Sequence, residues 1–156
     1  MINLTTVKPE DKELLWNINQ KYLYEMTSFY PDEMDSLGNY HYGYFEKYFT
    51  DPKRKAFFIC NDDVLVGFAM VNPYSVIDHT PDYTMAEFTI FPSYRRKGYA
   101  LKSAELLFSM FKGQWEIKFN EKNAAGKKLW TTVSAPYKPS IFHLNENETV
   151  LEFEIL

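Results

Sequence analysis

The stretch from Glu87 to Ala104, EFTIFPSYRRKGYALKSA, constrains the fold more than any other part of the chain. Phe88, Ile90 and Phe91 are aromatic or β-branched in a run too short for a helix, and Pro92 closes it because proline cannot donate to a sheet ladder. A strand therefore ends near Phe91. Beyond Gly98 the apolar residues Ala100, Leu101, Ala104, Leu107, Phe108 and Phe111 trace one face of a helix expected from Tyr99 to Lys112, with Gly113 behind its C-terminus, free to take positive φ. Arg95, Arg96, Lys97 and Lys102 crowd the start of that helix, where the macrodipole is already positive and the first N–H groups lack partners. Cations there oppose helix stability, in a chain with 17 Lys and Arg against 21 Asp and Glu. An anion on the helix N-terminus resolves the conflict, with Gly98 letting the backbone approach and the N–H groups pointing at phosphate oxygens. The alternative is a solvated basic turn.

Around this unit the hydrophobic pattern sets out the remaining elements. Ile2 to Val7 reads as a strand, and Leu14, Leu15, Ile18 and Tyr22 mark the apolar stripe of a helix from Pro9 to Thr27. Lys55 to Cys60 and Val64 to Val71 read as a hairpin turning at Asn61-Asp62-Asp63, followed by the strand Tyr83 to Phe91. Trp115, Ile117 and Phe119 alternate with Glu116 and Lys118 in a strand joined to the previous one by a helix, so these two strands are expected to run parallel, the only such pair. A helix opened by Asn120 or Asn123 runs to Thr132, Pro136 and Pro139 interrupt the segment beyond it, and Leu151, Phe153 and Ile155 close the chain as a half-buried strand. That exposed terminal strand is a candidate for pairing with a second copy in a homodimer. No repeat or linker divides the chain, so residues 1–156 are expected to form a single α/β (α+β) domain.

Tyr22 to Phe49 is rich in tyrosine and phenylalanine, broken at Pro31 and Gly38, with a short helix expected over Tyr42 to Phe49. These rings either wall a pocket, with Asp32, Glu33 and Asp35 favouring a cationic amine, or simply pack the layer above the sheet. The lone Cys60 rules out an internal disulfide, suits a reducing compartment, and reads as a small buried strand residue. His41, His79 and His143 have no metal-ligand spacing, so no metal is expected. A net charge of −4 with locally clustered basic residues argues against nucleic acid and for one compact phosphorylated ligand. The N-terminus has no apolar h-region and no run approaches a membrane span, so a soluble, cytoplasmic protein without membrane contact is expected.

Arg95-x-x-Gly98-x-Ala100, after a strand ending in Phe91-Pro92, resembles the Q/R-x-x-G-x-G/A signature of the GNAT acyltransferase superfamily, with Ala100 in the last position. The resemblance is specific over Tyr83 to Trp130. It implies a mixed, mostly antiparallel sheet flanked by helices, in which the parallel strand pair splays apart to admit the pantetheine arm of acetyl-CoA. It further implies that Arg95, Arg96, Lys97, Gly98, Tyr99 and Ala100 hold the pyrophosphate, and that Phe88 and Ile90 offer backbone groups to the arm. Asn123-x-x-Gly126-x-x-Leu129-Trp130 is similar to the family's N-x-x-A-x-x-F/L-Y motif, which places Asn123 and Trp130 at the cosubstrate; Asn123 equally suits an N-cap.

The activity so implied is acetyl transfer from acetyl-CoA to a primary amine of a small molecule or peptide. Such a reaction needs a base, because an alkylammonium is mostly protonated near neutrality. Glu87 is the candidate: a carboxylate in a strand otherwise fit for burial is costly unless paired or functional. The competing reading places it on the solvent face of the strand with Met85 and Thr89. A backbone N–H near Phe88 or Ile90 would polarise the thioester carbonyl. Trp130 stands where the family commonly has a tyrosine acid, so the acid is either Tyr137 or solvent. That substitution motivates one alternative, a non-catalytic acyl-CoA-binding or regulatory module; a nucleotide-binding domain of another fold is the second.

Overall fold

The computed structural model describes residues 1–156. One seven-stranded sheet runs in the order β1-β2-β3-β4-β5-β7-β6. Its strands are β1 (Ile2–Thr6), β2 (Lys55–Asn61), β3 (Val64–Asn72), β4 (Tyr83–Ile90), β5 (Gly113–Asn120), β6 (Ser140–His143) and β7 (Glu148–Ile155). The helices are α1 (Lys12–Met26), α2 (Tyr99–Met110) and α3 (Ala124–Ser134). Every neighbouring pair is antiparallel except β4 and β5. The β2–β3 hairpin turns on Asp62 at φ 53°, a left-handed position that aspartate tolerates better than most residues.

Two apolar clusters form on the two faces of the sheet. On one face Trp115, Ile117 and Leu151 meet Ala104, Leu107 and Phe108 of α2 and Val133 of α3. Trp115 is fully enclosed, and its indole N–H donates to the Phe111 carbonyl at 2.8 Å, so its polar atom is satisfied as well as its rings. On the other face Leu15 and Ile18 of α1 pack with Phe45, Tyr48, Phe58, Phe68 and Met70. Burying side chains of this size stabilises the fold by roughly 1.5–3 kcal/mol each.

Three elements differ from the sequence reading. α2 ends at Met110, and Gly113 opens β5 at φ 139°, where an added Cβ would lie 2.4 Å from Asp82 Oδ2. Gly113 is thus needed at a strand start, because the Asp82 carboxylate folds over it to accept the Gln114 N–H. β6 was hidden by the two prolines beside it and by its own exposure. The C-terminal strand β7 is no edge: it lies between β5 and β6, so the free edges are β1 and β6, and the expected pairing of a terminal strand with a second copy loses its basis.

Candidate active site

β4 and β5 are paired only at Tyr83 with Trp115 and at Thr84 with Glu116. Beyond that fork they separate, so backbone groups of both strands face a gap instead of each other. Buried Glu116 fixes the fork, accepting from Ser75 Oγ at 2.5 Å and from the Val76 N–H at 2.8 Å. The Phe91 N–H donates to the Val66 carbonyl at 2.8 Å. Strand alternation from that bond turns the N–H groups of Phe88 and Ile90 toward the gap.

A bulge in β4 decides where Glu87 points. Met70 opposes Glu87 and Val71 opposes Met85, which leaves Ala86 as an extra residue. The bulge breaks the alternation, so Met85 joins the α2 face of the core while Ala86 and Glu87 turn to the α1 face. Glu87 therefore does not share a face with Met85, and it does not lie in open solvent. Its Oε2 is buried without a hydrogen-bond partner. Burial, opposed only by Lys118, pushes its carboxyl up to about 8.

Tyrosines surround this carboxyl. The Tyr22 hydroxyl lies by the backbone amide of Phe88, and burial, then the proximity of Glu87, raises it well above the usual phenol range. Tyr42 is raised by the same two causes, and the Tyr48 hydroxyl accepts from Asn72 Nδ2 at 3.0 Å. Across the gap, Lys118 Nζ pairs with Glu148 at 2.9 Å and stands 5.2 Å over the Tyr30 ring. Burial and the neighbouring Glu148 push Tyr30 up to about 12. The aromatic stretch thus divides: Tyr22, Tyr30, Tyr42 and Tyr48 gather near Glu87, while Tyr40 and Phe45 are buried packing residues. Asp32, Glu33 and Asp35 are exposed, and Asp35 is spent on its own turn, accepting from the N–H groups of Leu37 and Asn39.

The loop after β4 presents a different chemistry. None of the backbone N–H groups from Arg96 to Leu101 donates to another group of the protein. Arg96 at φ 64° and Gly98 at φ 79° bend the chain into the helix start, and a left-handed arginine is the kind of strain that functional turns retain. Arg96, Lys97 and Gly98 are exposed. Arg95 is not free: Nη1 and Nη2 reach Glu25 at 2.8 and 2.7 Å, Nε donates to the Ile90 carbonyl at 2.7 Å, and Nη2 touches Thr89 Oγ1 at 3.3 Å. The Arg95 guanidinium therefore clamps α1 to the end of β4. Tyr99 ties α2 to β2, its hydroxyl accepting from Asn61 Nδ2, and Ala100 packs on the core.

Asn123 caps α3, accepting from the Gly126 N–H at 3.0 Å; a Cβ on Gly126 would lie 2.8 Å from Asn123 Nδ2, so glycine lets the cap close tightly. Trp130 is buried, edge-on to Phe88 at 5.0 Å. Tyr137 stacks on Phe153 and meets Phe108, on the α2 face of the sheet, so it is not brought to the face on which Glu87 lies. Tyr22 belongs to the aromatic stretch expected to wall a pocket, whereas sequence reasoning did not single out Lys118. Lys118 left one signal, its place on the polar face of an otherwise apolar strand.

Two surface clefts, of about 290 Å³ beside Leu101 and Tyr137 and about 300 Å³ between α1 and Tyr40, lie away from Glu87. No three His, Cys, Asp or Glu side chains converge on a point, and no helix is long and apolar enough to cross a membrane. The sequence model of the acetyltransferase (GNAT) family matches residues 15–136. No curated protein matches the chain. An acetyltransferase from Thermus thermophilus superposes with a TM-score of 0.70 at 14% identity, covering 99% of this chain and 97% of that one. Spermidine N-acetyltransferase from Vibrio cholerae, in complex with CoA and spermine, gives 0.64 at 16% identity over 99% and 95%. Arabidopsis thaliana NAA60 in complex with acetyl-CoA gives 0.63 at 12% identity over 99% of each chain. At such identities these likenesses speak for the fold.

Proposed function

This chain belongs to the acetyltransferase (GNAT) family, and we propose that it moves the acetyl group of acetyl-CoA directly to a primary amine, with Glu87 as general base. The observation that carries this reading is the half-buried Glu87, whose Oε2 is buried and unpartnered beside the gap between β4 and β5. In the proposed complex the pyrophosphate rests on the N–H groups of Arg96 to Leu101, with the Arg96 and Lys97 side chains adding charge. Arg95 holds that loop in place through Glu25. The pantetheine arm enters the gap along Phe88 and Ile90, with Asn123 and Trp130 bordering it from α3, and the Phe88 N–H polarises the thioester carbonyl.

Glu87 removes a proton from the incoming ammonium and passes it to water. The neutral amine then forms the C–N bond, its nitrogen gives up a second proton through Glu87 to water, the C–S bond breaks, and the electron pair leaves on sulfur, which takes up a proton to end as the thiol. A carboxyl raised to about 8 is well matched to an amine, since a base titrating near working pH accepts a proton without holding it too tightly. CoA release across a panel of small amines and peptide N-termini tests the reading, with Glu87→Gln as the control. Turnover lost by at least roughly 100-fold in that variant, with acetyl-CoA binding kept, is the expected result. One observation favours a second reading: buried Trp130 offers no hydroxyl where the family commonly has one, which suits a module that binds acyl-CoA without turnover. In that case the wild-type chain binds acetyl-CoA and releases no CoA with any amine.

A further inference from the structure

With Trp130 buried against Phe88 and Tyr137 on the other face of the sheet, neither aromatic residue supplies a proton at the reacting centre. The wall facing Glu87 holds a different donor. Continuing the parallel register of Tyr83 with Trp115 and Thr84 with Glu116 by two residues sets Lys118 level with Ala86. Trp115, Ile117 and Phe119 point into the α2-side core, so Lys118 points to the α1 face. The bulge at Ala86 brings Glu87 to that same face. An ammonium and a carboxyl thus stand on opposite sides of the gap at one level. Lys118 Nζ is tied to a single acceptor, Glu148, which leaves donors free. Its side chain keeps 32% exposure, so it can recover a proton from water.

We propose that Lys118 is a catalytic residue of the acetyl transfer, its ammonium stabilising the departing CoA sulfur and donating the proton that the sulfur takes up. This rests on the functional reading above. When the C–S bond breaks, the electron pair goes to sulfur, the sulfur takes a proton from Lys118 Nζ, and Lys118 takes one back from water. Glu87 meanwhile carries the protons of the amine to solvent, so the sum is one amide, one thiol and one released proton. The charged and titratable groups facing Lys118 are Glu87 from β4, Glu148 from β7 and Tyr30 from the segment after α1. Glu148 neutralises part of the ammonium charge at rest, and Lys118 retains the hydrogen-bonding reach to shift toward a forming thiolate.

The test needs no acceptor. The thiol of enzyme-bound CoA is titrated by its thiolate ultraviolet absorbance in the wild type, Lys118→Met and Lys118→Arg. An adjacent ammonium lowers a thiol pKa, so the wild type and Lys118→Arg are expected to titrate at least about 1 unit below free CoA, and Lys118→Met at or above it. With a turned-over amine, Lys118→Met lowers kcat by roughly 10- to 100-fold at unchanged KM for acetyl-CoA. Equal thiol titration in wild type and Lys118→Met overturns the role of Lys118 while leaving the function in place. Failure of the wild type to bind CoA at all overturns the functional reading first and this role with it. Circular dichroism of Lys118→Arg and Lys118→Met separates either result from misfolding.

Discussion

Glu25 and Arg95 meet through two charge-assisted hydrogen bonds of 2.7 and 2.8 Å, joining the last turn of α1 to the loop that opens α2. The same guanidinium holds the Ile90 carbonyl at the end of β4. Its side chain is 40% exposed, so the pair adds on the order of 1 kcal/mol or less to stability and acts mainly by fixing the loop. If Arg95 shapes the loop and leaves phosphate binding to its neighbours, Glu25→Ala weakens acetyl-CoA binding about as much as Arg95→Ala, roughly 3- to 10-fold. Isothermal titration of the two variants and the double variant checks this; additive losses would mean that Arg95 also touches the phosphates.

Glu87 predicts a pH dependence for activity. With its carboxyl near 8, kcat/KM rises with pH through about 8 and levels above it, and Glu87→Gln flattens the limb. Lys118 opposes the shift of Glu87, so Lys118→Met moves the limb to higher pH. An unchanged limb in Lys118→Met would separate the two side chains electrostatically.

The same carboxyl predicts a pH dependence for stability. The folded protein retains a proton up to about 8 that an unfolded glutamate loses near 4.5, so the folded state binds more protons between those values. Its contribution is whole below the lower value and is lost as pH rises through the upper one. Glu87→Gln removes the ionisable group, and its stability relative to wild type should grow between pH 5 and pH 9 by roughly 4 kcal/mol. Urea unfolding at those two pH values measures the difference.

Gly67 and Gly98 separate two costs of adding a methyl group. At Gly67 a Cβ would lie 2.1 Å from the Thr89 carbonyl oxygen, a backbone atom of the neighbouring strand that cannot move without breaking the β3–β4 ladder. At Gly98 a Cβ meets nothing within 4 Å, and only the positive φ resists it. Gly67→Ala should destabilise by roughly 3 kcal/mol or more, and Gly98→Ala by about 1 kcal/mol. Thermal unfolding ranks them.

The sequence made the strand, basic turn and helix from Glu87 to Ala104 legible because three local signals agree there: a β-rich run, a proline stop and a helical apolar face. The one parallel pair followed from the helix between two strands. The side to which Glu87 points did not follow, since alternation holds only until an extra residue breaks it, and Ala86 carries no mark of being one. The partner of Arg95 was hidden for another reason: Glu25 is 70 residues away, and nothing in a run of basic residues tells a ligand contact from a tertiary clamp. Lys118 comes to stand across from Glu87 only through the fork between β4 and β5, a product of the whole sheet.

Calorimetric titration of acetyl-CoA, with CoA and ATP alongside, tests the central claim most directly. Micromolar binding of acetyl-CoA and CoA but not ATP is predicted, weakened roughly 10-fold in the Arg96→Ala, Lys97→Ala double variant and by added salt. Absence of binding to either CoA species, at concentrations where the chain is folded, would contradict the account, and the basic turn would then be a solvated surface.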